Sequence, residues 1–160
     1  MDKDRKQLLF KIIFFISILA LVSAFFIEYI LGHQPCNLCL FERIPYLLAI
    51  TIILLNYKFD QFEKFFILLL AVVFLAGTIL SLYHLGIEQG FIQESLVCDL
   101  KSGLNLLSKE EILKQLQEKN VSCKDVTFKI FGLSLTSYNI LISLVISIGA
   151  IKIYFNYDKN

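Results

Sequence analysis

Apolar and polar positions in this chain come in blocks. Four apolar blocks run from about Leu8 to Ile30, Leu40 to Tyr57, Phe65 to Leu85 and Leu135 to Phe155. At ~1.5 Å of rise per residue, each is long enough as a helix to cross about 30 Å of hydrocarbon. The pattern predicts an all-α membrane protein: a four-helix transmembrane bundle forming one domain over residues 1–160, with loops at about 31–39 and 86–134. Lys3, Arg5 and Lys6 precede the first block, as they would in a secretion signal. That block is too long for one and no clear small-residue cleavage site follows it, so it reads as a retained span. Small residues recur four apart at Ala20 and Ala24, Gly77 and Ser81, and Ser143 and Ser147, a spacing that lets helices approach closely in lipid.

The long polar stretch carries its own pattern. Ser108-Lys109-Glu110-Glu111 has the form of a capping box, and Ile112, Leu113 and Leu116 follow at helical spacing. This predicts a short amphipathic helix lying near the membrane surface.

Charge sets the expected orientation. Lys3, Arg5, Lys6 and Lys11 flank the start of the first span, Lys58 and Lys64 lie between the second and third, and Lys152 and Lys159 flank the end. The short loop on the other side offers only Arg43, and the six lysines from Lys101 to Lys129 lie in a long loop that carries less topological weight. Both termini are therefore expected in the cytoplasm and both loops outside. A hydrophobic content of 57% excludes an ordinary soluble domain, and a formal net charge of +1 gives no footprint for nucleic acid.

The candidate chemistry lies in four cysteines that this topology puts on one side. Cys36 and Cys39 form a CxxC pair in the short loop, and Cys98 and Cys123 lie in the long one. An even set fits an oxidising compartment. Cys39 opens a predicted helix, where the helix dipole favours an anion, and Arg43 follows one turn later; both features lower a thiol pKa. The CxxC pair alone reads equally as a structural disulfide, and Cys98 and Cys123 alone read as a staple of their loop. Four cysteines also allow a tetrahedral zinc site, but the second pair lacks CxxC spacing and an oxidising compartment disfavours metal thiolates, so no metal is expected. Two pairs on one face favour exchange between them, which needs only access and alignment. Arg43 on its own is equally a side chain snorkelling to headgroups, and His84, at the end of the third span, an interfacial residue or a proton carrier. Glu42 is expected to point away from Arg43, Glu28 to mark the interface, and Pro45 to occupy the first turn of a helix.

The run Pro35-Cys36-Asn37-Leu38-Cys39-Leu40-Phe41-Glu42-Arg43 resembles the signature of the disulfide bond formation protein B (DsbB) family, including DsbI-like relatives. The resemblance continues at Tyr83-His84-Leu85-Gly86-Ile87-Glu88, at Cys123 and at Phe131-Gly132-Leu133-Ser134-Leu135. It implies a thiol:quinone oxidoreductase that uses ubiquinone or menaquinone to reoxidise a periplasmic DsbA-like thiol oxidase. By the same resemblance, Cys98 matches the cysteine attacked by the partner, and Cys123 the one released to engage Cys36. Cys39 matches the thiolate facing the quinone, Arg43 the cation supporting both, and His84, more loosely, a histidine at the quinone site. The alternatives are a vitamin K epoxide reductase-like quinone oxidoreductase and a non-enzymatic four-span scaffold with a stapled outer loop. The spacing of Arg43 and the Gly132-Leu133-Ser134 run favour the DsbB pattern over the first. The absence of a CCG cluster argues against a tetraspanin-like scaffold.

Overall fold

The computed structural model describes residues 3–93, 122–124 and 128–157. Cys98 and the expected amphipathic helix at Ser108 lie outside the described residues. Helix α1 (Lys3–Phe25) runs into a π-helical turn, Phe26–Ile30. A short α2 (Asn37–Phe41) is followed at once by α3 (Ile44–Lys58), and a single 3-10 turn, Asp60–Phe62, leads into α4 (Glu63–Glu88). Two-residue strands β1 (Lys129–Ile130) and β2 (Leu133–Ser134) pair antiparallel before α5 (Leu135–Phe155).

Four helical segments are long and apolar enough to cross a membrane: Lys6–Ile30, Asn37–Lys58, Glu63–Glu88 and Leu135–Phe155. The four-span expectation holds, and the fourth span keeps its expected bounds. The second starts three residues earlier than its apolar block, because Cys36 caps a helical turn ahead of it. The third runs one turn further, to Glu88. Polar Glu88 closes α4, and its side chain finds a partner inside the bundle, accepting from Thr136.

Helices are the natural solution here, because they satisfy every backbone polar group within the segment. Packing then selects faces. α4 packs along α5 and also against α3, while α1 rests mainly on α3. Phe10, Ile13, Ile53, Ile67, Leu70 and Phe74 are buried between them, whereas Phe15, Val22, Val145 and Ile148 face outward. In lipid such an outward face carries no penalty, so close fit and interhelical hydrogen bonds hold the bundle together.

Two of the three small-residue pairs lie at close helix contacts. A Cβ on Gly77 would come within 3.1 Å of Pro45 Cγ and 3.8 Å of Ser143 Oγ, so α3, α4 and α5 converge there. Ser147 Oγ donates to the Ala71 carbonyl at 3.1 Å. Ala20 and Ala24 are only half-buried. Across the same interface, Tyr46 donates to Asn139, which donates in turn to Ser81 Oγ at 2.8 Å. At the end remote from the CxxC turn, Glu63 binds Lys6 Nζ at 3.2 Å and accepts from the Tyr157 hydroxyl at 2.9 Å, tying α1, α4 and the end of α5.

The β1–β2 hairpin turns on Phe131 and Gly132, with φ of +49° and +83°. Positive φ at both central positions gives the twist that a two-residue hairpin needs; glycine takes it freely and phenylalanine under strain. The hairpin delivers the chain to Ser134, which caps α5 by accepting from Ser137 N–H at 3.4 Å.

Candidate redox site

The site is built from α2, the end of α4 and the start of α5. Cys36 is the N-cap of α2: its backbone is extended, and its sulfur accepts from the Cys39 N–H at 3.3 Å. The cap brings Cys39 one turn round onto the same side, with the two sulfurs 3.0 Å apart and not joined as a disulfide. Sequence reasoning gave the helix-end stabilisation to Cys39; the structure gives it to Cys36, because the capping residue lies just outside the helix and directs its side chain at the open N–H groups. Cys36 is held down to about 4, most strongly by hydrogen bonding with the Cys39 thiol. Burial opposes the shift, and the His84 ring supports it by hydrogen bond and charge.

His84 is the central residue that the sequence left undecided. It is 1% exposed, within the bundle. Its Nε2 lies 3.5 Å from Cys36 Sγ, and its Nδ1 lies 2.8 Å from Glu42 Oε1 and 3.2 Å from Thr136 Oγ1. Thr136 donates its one hydroxyl hydrogen to Glu88 Oε1 at 2.7 Å, so toward Nδ1 it acts as acceptor. Glu42, as a carboxylate, also accepts. Nδ1 therefore carries the hydrogen, and Nε2 is turned to the sulfur. The result is a thiol, an imidazole and an orienting carboxylate in line, the arrangement that activates sulfur nucleophiles.

Glu42, Glu88 and Thr136 were missed as functional residues. Glu42 does point away from Arg43, as expected, but it points at His84. A signal for Glu88 was present, since it lies four residues after His84 on one helix and an ionisable residue inside a span is functional by default. Nothing in the sequence pointed to Thr136.

Cys123 is buried and packs with Cys36, Leu38 and Ile87, with Cys39 alongside. The structure thus brings a cysteine of the long loop to the CxxC pair, across 87 positions of sequence. Arg43 does not join the sulfurs. Its Nη1 donates to Glu28 Oε2 at 2.6 Å, and its guanidinium lies over the Phe25 ring at 5.2 Å. Glu28 stands in the π-helical turn that ends the first span.

A family model described as disulfide bond formation protein DsbB matches residues 6–153. The chain belongs to the DsbB family. A relative is the uncharacterized protein RP370 of Rickettsia prowazekii (strain Madrid E), 36% identical over 165 residues that cover 98% of this chain and 94% of that one. No solved structure matches. DsbB proteins are membrane thiol:quinone oxidoreductases, and the two residues expected to meet a quinone fit that role unequally. Arg43 has one of its five N–H donors committed to Glu28 and lies beside an exposed aromatic ring, which suits a planar ring with carbonyl oxygens. His84 is 1% exposed, with its ring nitrogens engaged toward Cys36 and Glu42. The Cys36 and Cys39 sulfurs and the His84 imidazole also lie within 4.8 Å of one another, a spacing that one metal ion could bridge.

Proposed function

We propose that this protein reoxidises a soluble periplasmic thiol oxidase of the DsbA type and passes the electrons through Cys98/Cys123 and Cys36/Cys39 to a membrane quinone. The observation that carries the reading is the burial of Cys123 against Cys36, beside Cys39 and His84, in a chain of the DsbB family. The basic flanks of the spans support cytoplasmic termini and outward-facing cysteines in an inner membrane.

The cycle balances as follows. A partner thiolate attacks Cys98; the Cys98–Cys123 bond breaks and Cys123 leaves as thiolate. Cys123 attacks Cys36 of the Cys36–Cys39 disulfide, and Cys39 leaves as thiolate. The partner's second thiol resolves its bond to Cys98, and the partner departs oxidised. Cys98 then attacks Cys123, restoring the first disulfide and leaving Cys36 and Cys39 as the dithiol form described here. Glu42 orients His84, and His84 holds a proton against Cys36 Sγ, so this sulfur is ready as an anion. A membrane quinone supplies the acceptor for the two electrons and two protons that leave when Cys36 and Cys39 close. Arg43 offers its free donors at the membrane edge of this path.

The test mixes purified protein, ubiquinone or menaquinone, and a reduced DsbA-type oxidase, and follows quinone absorbance with thiol trapping. Two thiols lost from the oxidase per quinone reduced is the expected outcome. Static disulfides with an unchanged quinone spectrum would return the chain to a scaffold.

A further inference from the structure

Three soft or borderline ligand atoms, two sulfurs and a ring nitrogen of His84, lie within 4.8 Å of one another, and the groups behind them suit a metal. Histidines that ligate metals usually donate their other ring N–H to a carboxylate, which fixes the tautomer and turns the free lone pair to the ion. His84 has this arrangement, with Nδ1 held by Glu42 Oε1 at 2.8 Å. In a tetrahedral zinc site, Zn–S of ~2.3 Å and Zn–N of ~2.0–2.1 Å place sulfurs about 3.8 Å apart and sulfur and nitrogen about 3.6 Å apart. Cys36 Sγ and His84 Nε2 already lie 3.5 Å apart. The sulfurs, at 3.0 Å, need to part by about 0.8 Å, within reach of a small side-chain rotation. A second observation points the same way. The Glu88 side chain is 6% exposed, its Oε1 lies 3.8 Å from Nε2, and its Oε2 is buried without a hydrogen-bond partner.

We propose that the dithiol form binds one zinc ion through Cys36, Cys39 and His84, with the fourth position open to solvent or to Glu88. Binding releases two protons, one from the Cys39 thiol and one held between Cys36 and His84, and moves no electrons. Two thiolates cancel the charge of the dication, so with water in the fourth position the loaded site is neutral, which a buried position at a membrane edge tolerates. The disulfide form has no thiolates to offer and does not bind. Zinc therefore competes with closure of the Cys36–Cys39 bond and holds the protein reduced until it leaves. The site itself needs only the dithiol; its inhibitory effect rests on the proposed redox cycle.

The experiment uses full-length protein in detergent, reduced and then freed of reductant. Zn2+ is titrated against a chromophoric chelator, and Cd2+ is followed in parallel by its thiolate-to-metal absorbance. One equivalent should bind, and Glu42→Gln should weaken binding about 10–100-fold through the lost carboxylate behind His84. His84→Ala should weaken it further. The Cys98→Ser/Cys123→Ser double variant should bind as the unaltered protein does. The same protein oxidised to its disulfides should bind none, a comparison that stands even if a variant fails to fold. Failure of the reduced protein to compete for metal, equal binding by the oxidised form, or loss of binding in the double variant overturns the site. Quinone-linked turnover is measured separately. Binding without any metal-free turnover refutes the redox cycle and leaves the site. Turnover that persists at saturating Zn2+ overturns the inhibition.

Discussion

Replacing Arg43 separates its role toward quinone from its role in the fold. The guanidinium makes a 2.6 Å ion pair with Glu28, and the two side chains are 15% and 21% exposed. A hydrogen bond to a charged group at such a site contributes about 1.5–3 kcal/mol. If Arg43→Ala removes one such bond to a quinone oxygen, the quinone concentration for half-maximal turnover rises by roughly 10–150-fold, at about 1.4 kcal/mol per tenfold. Arg43→Lys keeps the charge but loses the planar fork, so it should fall between the two. Arg43→Ala also strands Glu28 without its partner, which by itself would destabilise the end of the first span. Glu28→Gln is the control. It removes the ion pair and leaves the cation, so it should match Arg43→Ala in thermal stability while leaving half-saturation within about threefold, under half of one such bond. The assay is quinone-dependent oxidation of a reduced partner across a quinone titration, with unfolding midpoints measured on the same preparations. Unchanged half-saturation in Arg43→Ala, or an equal rise in Glu28→Gln, would falsify direct contact and leave Arg43 as the structural partner of Glu28.

Other outcomes follow from the same geometry. A reduced partner whose second cysteine is replaced by alanine should be trapped on Cys98 of the unaltered protein, the Cys98–Cys123 bond breaking as the mixed disulfide forms, and Cys98→Ala should trap none, so equal trapping on non-reducing gels refutes the division of roles. A membrane-impermeant maleimide should reach all four cysteines of the reduced protein from the outer face, and labelling of any one from the cytoplasmic face alone refutes the orientation. Because Cys36 is held down to about 4, its thiolate persists above that value and is lost as pH falls through it; with a chelator present, alkylation of Cys36 should stay near constant from pH 8 to 5 and inflect higher in His84→Ala. An inflection near the ordinary thiol value of about 8.5 in the unaltered protein contradicts the cap-and-imidazole account. Gly77→Val should lower the unfolding midpoint by the equivalent of about 1–3 kcal/mol, since its first carbon already meets Pro45 at 3.1 Å; an unchanged midpoint means that this contact is loose.

The spans were legible because membrane helices write themselves as long apolar runs, and α5 covers the apolar block from Leu135 to Phe155. The π-helical turn at Phe26–Ile30 was not, since an extra residue in a helical turn leaves the apolar run unbroken. At the site, the CxxC spacing was enough to find Cys36 and Cys39. Their division of labour was not, because it depends on which sulfur lies outside the helix and which groups of α4 face it. Glu42 looked like a neighbour of Arg43 in sequence; a difference of one residue turns it about 100° around the helix, to His84. Such pairings between elements depend on how α2, α4 and α5 rotate against one another, and a single sequence does not carry that.

The capping of α2 by a sulfur joins the chemistry to the backbone. In the proposed cycle the sulfur that accepts the Cys39 N–H is also the one that bonds in turn to Cys123 and to Cys39. An N-cap contributes about 1 kcal/mol to its helix, so each oxidation step loosens the first turn of α2 by about that much and each reduction tightens it. The Cys39 amide thus senses the electron count of the protein. Its hydrogen exchange should quicken about fivefold when the cap is withdrawn, a clock for the cycle that needs neither quinone colour nor a partner.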